Sequence, residues 1–347
     1  MSLGISVIIC CHNSAQLLPE TLARLGNQNV KGNLLWEIIL VDNASTDNTR
    51  DIALRVWPHD SPVNLKVVDE PKLGLNNARR RGVRESTKEV IAFIDDDNWV
   101  NEDWVQTASE VMSHNPGVGI CGGSSLGVFE APPPYWFECF QKSYAVGDQV
   151  TQEGDITASG GCLWGAGLII LKEAWDFLER CHFEPFLMGR RGSRLTAGED
   201  LELCLALRLA GWRVRYEPRL RLQHFIPKNR LKWKYLRQMH RGFGTATIGH
   251  DPYYFALRCI QESHLLRLKR TWQWRALGTS KRLFSHGLKL FLAPFRPFEG
   301  DPDILDIEKQ FGRLSALLSS RRKSEALFSI VSHAPWNRLA TNNFRFP

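Results

Sequence analysis

Short apolar runs alternate with segments of helical periodicity over the first 95 residues. The runs have the length and β-branched content of buried strands, and they occupy residues 6–11, 36–41, 65–68 and 90–94. Between them, segment 15–25 carries leucines at helical spacing, and we expect two further helices, one after residues 45–47 that ends near Val56 and one over 76–86. We expect Ser14 to cap the first of these helices. The alternation predicts an α/β fold with a parallel sheet wound by helices.

Polar side chains follow three of these predicted strands. Asn13 follows the first and Asp42 the second, while Asp95, Asp96 and Asp97 end the fourth. In open parallel sheets, ligands bind at the carboxyl ends of the strands. Neighbouring carboxylates repel each other unless a cation or a shared proton relieves them, and their oxygens suit Mg²⁺ or Mn²⁺. The pattern predicts a metal-assisted ligand site, with a solvated acidic turn as the alternative.

Five motifs, taken in chain order, resemble those of the inverting glycosyltransferases of family 2. They lie at residues 7–13, 39–47, 74–79, 93–97 and 198–200. The resemblance covers about the first 225 residues and implies the GT-A fold, with a mostly parallel wound sheet and a nucleotide-sugar donor. The first motif departs from the family, which often has a proline and a tyrosine where this chain has Cys10, Cys11 and His12.

The resemblance also implies roles for individual residues. Asp42 would hydrogen-bond the nucleotide base, Asp95 would lie near the ribose, and Asp97 would hold a divalent metal on the diphosphate. Arg79 would shape the nucleoside side of the pocket. The residues implied in donor binding are Cys11, His12, Asn13, Asp42, Ala44, Gly74, Arg79, Asp95 and Asp96. No chemical role is assigned to Asp96, and we expect it to tolerate substitution best of the three aspartates.

Glu199 and Asp200 are the candidate catalytic pair. An acceptor hydroxyl needs a proton acceptor within reach, and a carboxylate serves well as that base. By the resemblance Asp200 is the base, with Glu199 supporting the acceptor site or orienting its neighbour. The alternative is helix capping, because acidic residues are favoured in the first turn of a helix, and residues 201–210 form a strongly apolar helical segment closed by Gly211.

Three further features have both a functional and a structural interpretation. His224 follows the strand-like residues 220–223 and is a candidate metal ligand, or otherwise an ordinary structural histidine. Arg190, Arg191 and Arg194 either contact a diphosphate or a charged acceptor, or lie on a solvated loop. The glycine-rich residues 159–167 either floor the site where donor sugar and acceptor meet, as the resemblance implies, or form a tight turn.

Charge divides the chain into two unequal parts. Residues 221–347 carry 23 Lys and Arg against 8 Asp and Glu, although the whole chain has a net charge of only +7. Basic and aromatic residues alternate in 228–241 and 265–275, and residues 281–298 have amphipathic spacing. This basic region is expected to pack on the catalytic domain or to lie on an anionic membrane surface. No recognised nucleic-acid motif accompanies it. Gln238 and Arg241 echo part of a processive-synthase signature, but Gly242 replaces its tryptophan, which argues against a polymerising synthase.

We therefore expect a GT-A catalytic domain over 1–225 (nucleotide-binding half 1–115, acceptor half 116–225) and a helical extension over 226–347. The expected activity is metal-dependent inverting transfer of a sugar from a nucleotide sugar, with UDP as the guessed nucleotide and Mn²⁺ or Mg²⁺ as the metal. The acceptor is expected to be the hydroxyl of a carbohydrate or glycoconjugate. The alternatives are transfer to a polyprenyl phosphate and a binding protein without turnover.

Cysteine usage and the two ends of the chain complete these expectations. Eight cysteines without paired metal-type spacing fit a reducing compartment, so we expect a cytosolic enzyme, with peripheral contact at the inner membrane face as a further option. No apolar run approaches the roughly 20 residues that span a bilayer, and the first residues do not resemble a secretory signal. From Ala334 onward we expect a poorly ordered or surface-wrapping tail.

Overall fold

The computed structural model describes residues 2–159, 161–187, 189, 197–258, 264–292, 295 and 298–341. The described strands are β1 (Ile5–Cys11), β2 (Trp36–Asp42), β3 (Leu65–Asp69), β4 (Val90–Asp95), β5 (Asn98–Val100), β6 (Val118–Phe129), β7 (Gly154–Asp155), β8 (Leu168–Leu171) and β9 (Arg213–Ile226). The helices of the first part of the chain are α1 (Leu18–Gly26), α2 (Thr49–Val56), α3 (Leu75–Glu85), α4 (Trp104–His114), α5 (Phe137–Phe140), α6 (Lys172–Arg180) and α7 (Glu199–Leu209). They are followed by α8 (Trp233–Leu257), α9 (His264–Arg270), α10 (Trp272–Phe284), α11 (Leu288–Leu292) and α12 (Pro302–Ser332).

All described strands belong to one mixed sheet in the order β3-β2-β1-β4-β8-β6-β9-β5, with β7 beside β9. The neighbours β3, β2, β1 and β4 run parallel, and so do β6 and β9. Strand β8 is antiparallel to both β4 and β6. The register sets Cys11 opposite Asp42 and Cys10 opposite Asp95. The carboxyl ends of the parallel strands therefore meet at one edge, as the alternation predicted.

The central strands are buried on both faces, which explains their nearly continuous apolar sequences. Along β1, Ile8 faces one apolar core together with side chains of α3, α6 and α7. Its neighbours Val7 and Ile9 face the second core, formed with α1 and α4. A sheet sandwiched between two helical layers in this way presents only its edges and strand ends to solvent.

One expected helix cap is absent, and one strand was not predicted from the sequence. The first turn of α1 begins at Leu18 without a side-chain cap, because the Ser14 hydroxyl is engaged elsewhere and accepts a hydrogen bond from the His12 amide at 3.1 Å. The long strand β6 did not stand out in the sequence, because its four glycines between positions 119 and 127 reduce its β-propensity. It is nevertheless held in the sheet by β8 and β9.

The C-terminal helices pack on one another and, through α8, on α7. Helices α8 and α12 approach so closely that a Cβ atom on Gly244 or Gly312 would overlap the backbone of the facing helix. Ion pairs connect the two helices, with the buried Glu308 accepting from both Arg237 and the more exposed Arg241. A domain boundary near residue 225 stays a prediction.

The tail after α12 is anchored rather than loose as far as it is described. Trp336 is 4% exposed; it meets Phe183 edge to face and stacks on Tyr253. The surface-wrapping form of the prediction is therefore closer to the structure, although this tryptophan enters the core. Within the described residues, no helix has the length and hydropathy needed to cross a membrane.

Candidate active site

The loops after β1 and β2 form a cross-linked pair at the carboxyl edge of the sheet. Asn13 and Ala44 both have left-handed backbone conformations, with φ of 56° and 55°. The Asn13 side chain accepts a hydrogen bond from the Thr46 amide at 2.7 Å, and His12 Nδ1 donates to the Asn43 carbonyl at 2.9 Å. His12, Asn13 and Ala44 are exposed, so three residues predicted to bind the donor line one open, fixed surface.

Asn43 connects this surface to the loop before α3. Its side-chain amide donates to the carbonyls of Glu70 and Lys72, both at 2.9 Å, and its oxygen accepts from the Gly74 amide at 2.7 Å. Gly74 has φ of 137°, a conformation that side chains disfavour. Sequence reasoning placed Gly74 at the site but gave no role to Asn43, whose burial and threefold hydrogen bonding fix the pocket wall.

Asp42 lies beside these loops, whereas Cys11 contributes less than expected. The Asp42 carboxylate is half-buried and accepts a hydrogen bond from the Ser45 amide at 3.1 Å. The Cys11 side chain is fully buried in the core on the far face of the sheet. Strand alternation turns the thiol away from the face where Cys10 packs, so only the backbone of Cys11 is left for the nucleoside pocket, and its place there stays a prediction.

Asp97 is the most buried of the three consecutive aspartates, at 4% exposure. Its carboxylate accepts hydrogen bonds from Arg230 Nη1 at 3.0 Å and from the side-chain amide of Asn98 at 3.1 Å. His224 Nε2 lies 3.5 Å from Asp97 Oδ1. Strand β5 produces this arrangement, because Asn98 pairs with His224 across the antiparallel β5–β9 ladder. Sequence reasoning missed Arg230, whose signal was a basic residue six positions after His224.

Asp97 and His224 fit the roles of two ligands of one divalent ion. Two ligands in the same octahedral shell are about 3 Å apart, close to the spacing of their facing atoms. His224 Nδ1 is buried and has no hydrogen-bond partner among the described residues. Within that same part of the chain, no three acidic, histidine or cysteine side chains converge as a metal cage. Asp97 and His224 thus offer a two-ligand site of the kind that substrate phosphates and water complete.

Asp95 and Asp96 occupy different surroundings. Burial is the largest cause that raises the pKa of Asp95, and the negative charges of Asp97 and Asp200 raise it further. The charges of Arg79 and His224 lower it in part. Burial and Asp97 raise the pKa of Asp96 to about 7, although a hydrogen bond with Ser14 opposes that rise. The Asp96 carboxylate therefore faces the α1 side of the loop instead of the expected donor surface. Its tolerance to substitution stays a prediction.

Arg79 forms an ion pair with the candidate base. Its Nη1 donates to Asp200 Oδ1 at 2.5 Å, and the guanidinium carbon lies 5.0 Å from the centre of the Phe93 ring. Burial disfavours the charged guanidinium, but Asp200, Glu199 and Asp95 together raise the pKa of Arg79 above its usual value. The structure thus assigns this buried arginine to the carboxylates rather than to the expected nucleoside wall.

Gly165 sits directly against Asp200. A Cβ atom built on Gly165 would overlap the Asp200 carboxylate, so only glycine leaves space for this side chain. This position belongs to the glycine-rich segment that was expected to floor the site, and here that floor lies under the candidate base. Asp200 keeps 23% of its side chain exposed. Glu199 is only 7% exposed, and its charge helps to raise the pKa of Arg79.

The helix that carries Asp200 is fastened on two sides. Buried Glu202 accepts hydrogen bonds from the Phe186 and Leu187 amides, both at 2.9 Å, and from the Tyr253 hydroxyl at 2.8 Å. His250 Nε2 donates to the Gly198 carbonyl at 2.7 Å. Tyr253 and His250 belong to α8, so this C-terminal helix helps to position the start of α7, where the candidate base Asp200 lies. Arg190, Arg191 and Arg194 lie outside the described residues.

The assembled edge is a row of alternating charges. Asp200 pairs with Arg79, whose charge also acts on Asp95, and Asp97 then meets His224 and Arg230. The exposed loops of Asn13 and Asp42 follow β1 and β2, of which β1 lies next to the strand that ends in Asp95, and the candidate metal ligands Asp97 and His224 lie beyond Asp95. Such an edge can bind an anionic, nucleoside-containing ligand and present a carboxylate to a second substrate.

Comparison with known families identifies the chain. The model described as glycosyl transferase family group 2 matches residues 90–315, and the model glycosyl transferase family 2 matches residues 6–164. The chain belongs to glycosyl transferase family group 2. It is therefore a glycosyltransferase, as the five motifs indicated.

Individual relatives of this glycosyltransferase are distant. The succinoglycan biosynthesis protein ExoM of Rhizobium meliloti (strain 1021) is 24% identical over 243 residues, which make up 70% of this chain and 74% of that protein. The putative glycosyltransferase EpsH of Bacillus subtilis (strain 168) is 29% identical over 118 residues, or 34% of this chain and 33% of that protein. The chain thus spans about a third of EpsH.

A solved structure resembles the glycosyltransferase over nearly its whole length. It is the mannosyltransferase PcManGT of Pyrobaculum calidifontis, in complex with GDP-Man and Mn²⁺, with a TM-score of 0.54 and 16% identity. The similarity covers 98% of this chain and 84% of that chain. The predicted GT-A fold with its helical C-terminal region is confirmed.

Proposed function

We propose that this glycosyltransferase transfers a sugar, with inversion, from a nucleotide-diphosphate sugar to an acceptor hydroxyl. The observation that carries the proposal is the position of Arg79 between two carboxylates, paired with Asp200 and acting on Asp95. The resemblance implies a donor role for Asp95 and a base role for Asp200. Their shared arginine supports placing the donor and acceptor reactions at one site.

In this proposal Asp200 removes the proton from the acceptor hydroxyl. Arg79 holds the carboxylate in one orientation, and the lack of a side chain at Gly165 leaves room for that carboxylate. Attack from the side opposite the departing diphosphate inverts the configuration at the anomeric carbon. Since the 23% exposure of the Asp200 side chain leaves it accessible, direct proton transfer to it requires no further movement of the chain.

The departing diphosphate is assigned to the other end of the charge row. Asp97 and His224 would hold a divalent ion there, which when bound would neutralise negative charge developing on the diphosphate. Arg230 supplies a second, permanent positive charge beside Asp97. On the nucleoside side, Asp42 and the surface of His12, Asn13 and Ala44 would receive the base and ribose.

The substrates are proposed at the level of class. The similarity to ExoM, named for succinoglycan biosynthesis, supports a role in making a polysaccharide or another glycoconjugate. UDP was the guessed nucleotide, and the GDP-Man in PcManGT adds GDP-sugars as donors to be tested equally. We also propose a cytoplasmic location, because the thiols of Cys11, Cys121 and Cys204 are buried and free, as is usual in a reducing compartment.

A panel of nucleotide sugars tests donor binding. Purified protein is heated with each UDP-, GDP-, ADP- and dTDP-sugar, with Mn²⁺, with Mg²⁺ or with EDTA, because a ligand that binds only the folded state raises the melting temperature. At least one donor should stabilise the protein, and more strongly with metal. Asp42→Ala should weaken every stabilisation, whereas Asp97→Ala should remove the metal-dependent part.

Turnover assays with the same donors separate the alternative functions. A donor that stabilises the protein but is never turned over, with any acceptor or with water, would favour a binding protein. Turnover with a polyprenyl phosphate acceptor that survives Asp200→Asn would favour the lipid-phosphate enzyme, because an ionised phosphate needs no base. Absence of stabilisation by all donors would overturn the proposed function.

A further inference from the structure

An unpartnered apolar stripe runs along α10 and α11. Its members recur at alternating steps of three and four residues, and every apolar member is between 46% and 83% exposed. The stripe consists of Trp274, Leu277, Lys281, Phe284, Leu288, Phe291 and Phe295. Single exposed apolar residues are ordinary, but six large ones between Trp274 and Phe295 indicate an interaction surface.

The stripe faces away from the rest of the protein. On α10 the buried residues are Arg275, Ala276, Thr279 and Leu283, which lie on the opposite side of the helix from Trp274 and Leu277. Thr271 caps the start of α10 by accepting a hydrogen bond from the Trp274 amide. Helix α10 packs on α12, and none of the α11 residues is buried. The apolar side chains of the stripe are therefore left over after the helices have formed their own core.

The charge around the stripe is positive. Residues 263–298 contain eight Lys and Arg and no Asp or Glu. Acidic groups of the neighbouring α12 region neutralise some of these cations, since Asp306 pairs with Arg282 and Asp303 with Lys289. Lys269 and Lys281 are exposed and form no ion pair among the described residues. A partner for this surface must accept aromatic side chains and carry negative charge.

We propose that the stripe docks on the surface of an anionic phospholipid bilayer. Aromatic and aliphatic side chains on one face of a basic helix enter the boundary between headgroups and acyl chains, while lysines bind the anionic headgroups. A second copy of the chain fits less well. In a twofold dimer the same patch would face itself, so the excess of Lys and Arg over Asp and Glu in residues 263–298 would oppose the association.

This proposal goes beyond the proposed function, because it concerns where the enzyme works and not what it transfers. Its test is vesicle sedimentation of the full chain, using vesicles of phosphatidylcholine alone and vesicles with a quarter phosphatidylglycerol. We expect binding to the anionic vesicles and at least tenfold weaker binding to the neutral ones. The triple variant Phe284→Ser, Leu288→Ser, Phe291→Ser should reduce partitioning roughly tenfold or more.

Matched variants separate the stripe from general surface effects. Leu35→Ser, Leu54→Ser and Ile330→Ser remove three exposed apolar side chains elsewhere, and together they should leave partitioning unchanged. Lys281→Glu should weaken binding to anionic vesicles roughly fivefold or more, whereas Lys31→Glu should not. Melting temperature and far-ultraviolet circular dichroism confirm that each variant is folded.

Three results would overturn the proposal. One is failure of the native protein to bind anionic vesicles, and another is equal binding by the stripe variant and its matched control. The third is a dimer in sedimentation velocity, without vesicles, that the stripe substitutions dissociate, since this would assign the surface to a second copy. Donor stabilisation measured without lipid stays independent of all three outcomes, so a failed proposed function is recognised separately.

Discussion

At the scale of single residues, the candidate site depends on arginines that lie beside buried carboxylates. Without these positive charges the carboxylates would repel one another. Arg79, at 4% exposure, stands between Asp95 and Asp200, and Arg230 stands beside Asp97. The sequence revealed the acidic residues by their position after apolar strands. It did not reveal their pairing, because Arg79 and Asp200 are 121 positions apart and meet only when α3 and α7 pack on the same sheet.

A substitution at Gly165 tests whether the base needs the space beneath it. Gly165→Ala places a methyl group where the Asp200 carboxylate lies, so donor turnover should fall about 100-fold while donor binding persists. Gly278→Ala is the control, because a Cβ atom there meets nothing within 4 Å. Equal turnover in the two variants would show that Asp200 can act from another orientation.

A substitution at Arg230 tests the balance of charge around Asp97. Arg230→Met leaves a carboxylate that is only 6% exposed without its arginine partner, and the free energy of unfolding should fall by about 3 kcal/mol. Added Mn²⁺ should restore part of that loss, since a bound cation replaces the missing charge. Chemical denaturation with and without EDTA measures both effects.

Arg24→Met is the matched control for that experiment, because Arg24 forms an exposed pair with Glu20. It should change stability by no more than about 0.5 kcal/mol and show no added response to the metal. The assignment of Asp97 as a metal ligand fails if Mn²⁺ stabilises Arg230→Met no more than it stabilises this control.

At the scale of elements, periodicity located the first four strands and the helices between them to within a few residues. It missed β6, whose glycines are tolerated because strands on both sides supply the pairing. It also placed a cap at Ser14, although the Ser14 hydroxyl is used by the loop network. Both errors arise where contacts distant in sequence outweigh local preference.

Glu202, which fastens α7 to neighbouring segments, should make the stability of the protein depend on pH. Burial raises the pKa of Glu202 to about 7, against the hydrogen bonds from Phe186, Leu187 and Tyr253. The folded protein therefore retains a proton that the unfolded chain has already released, so this group makes unfolding easier as the pH rises from about 4.5 to about 7. Over this pH range the free energy of unfolding should fall by about 3 kcal/mol at most because of this group.

Glu202→Gln removes that titration. Its melting temperature will be lower at pH 5, because the amide cannot accept both backbone hydrogen bonds, but it should then vary less between pH 5 and pH 8 than that of the native protein. Differential scanning fluorimetry across this range gives the two slopes. Identical slopes would mean that Glu202 titrates normally in the fold.

At the scale of the whole molecule, the predicted fold class was right, whereas the predicted domain boundary near residue 225 stays a prediction. The basic C-terminal region packs as helices on the remainder, as expected by default. Yet α8 reaches into the site through His250 and Tyr253, and Trp336 of the tail stacks on that same tyrosine. Composition indicated a charged appendage, but it carried no information about which of its side chains would hold the base.

The central claim is that Asp200 is the catalytic base at a site shared with the nucleotide donor. The most direct measurement is release of nucleoside diphosphate from a stabilising donor by the native protein, Asp200→Asn and the control Asp176→Asn. Asp176 is a partly exposed aspartate that pairs with Lys172. Donor affinity is measured in parallel by calorimetry.

We expect Asp200→Asn to bind the donor within about twofold of the native affinity but to turn it over about 100-fold to 10,000-fold more slowly. Asp176→Asn should match the native protein in both quantities. Native turnover by Asp200→Asn would contradict the account.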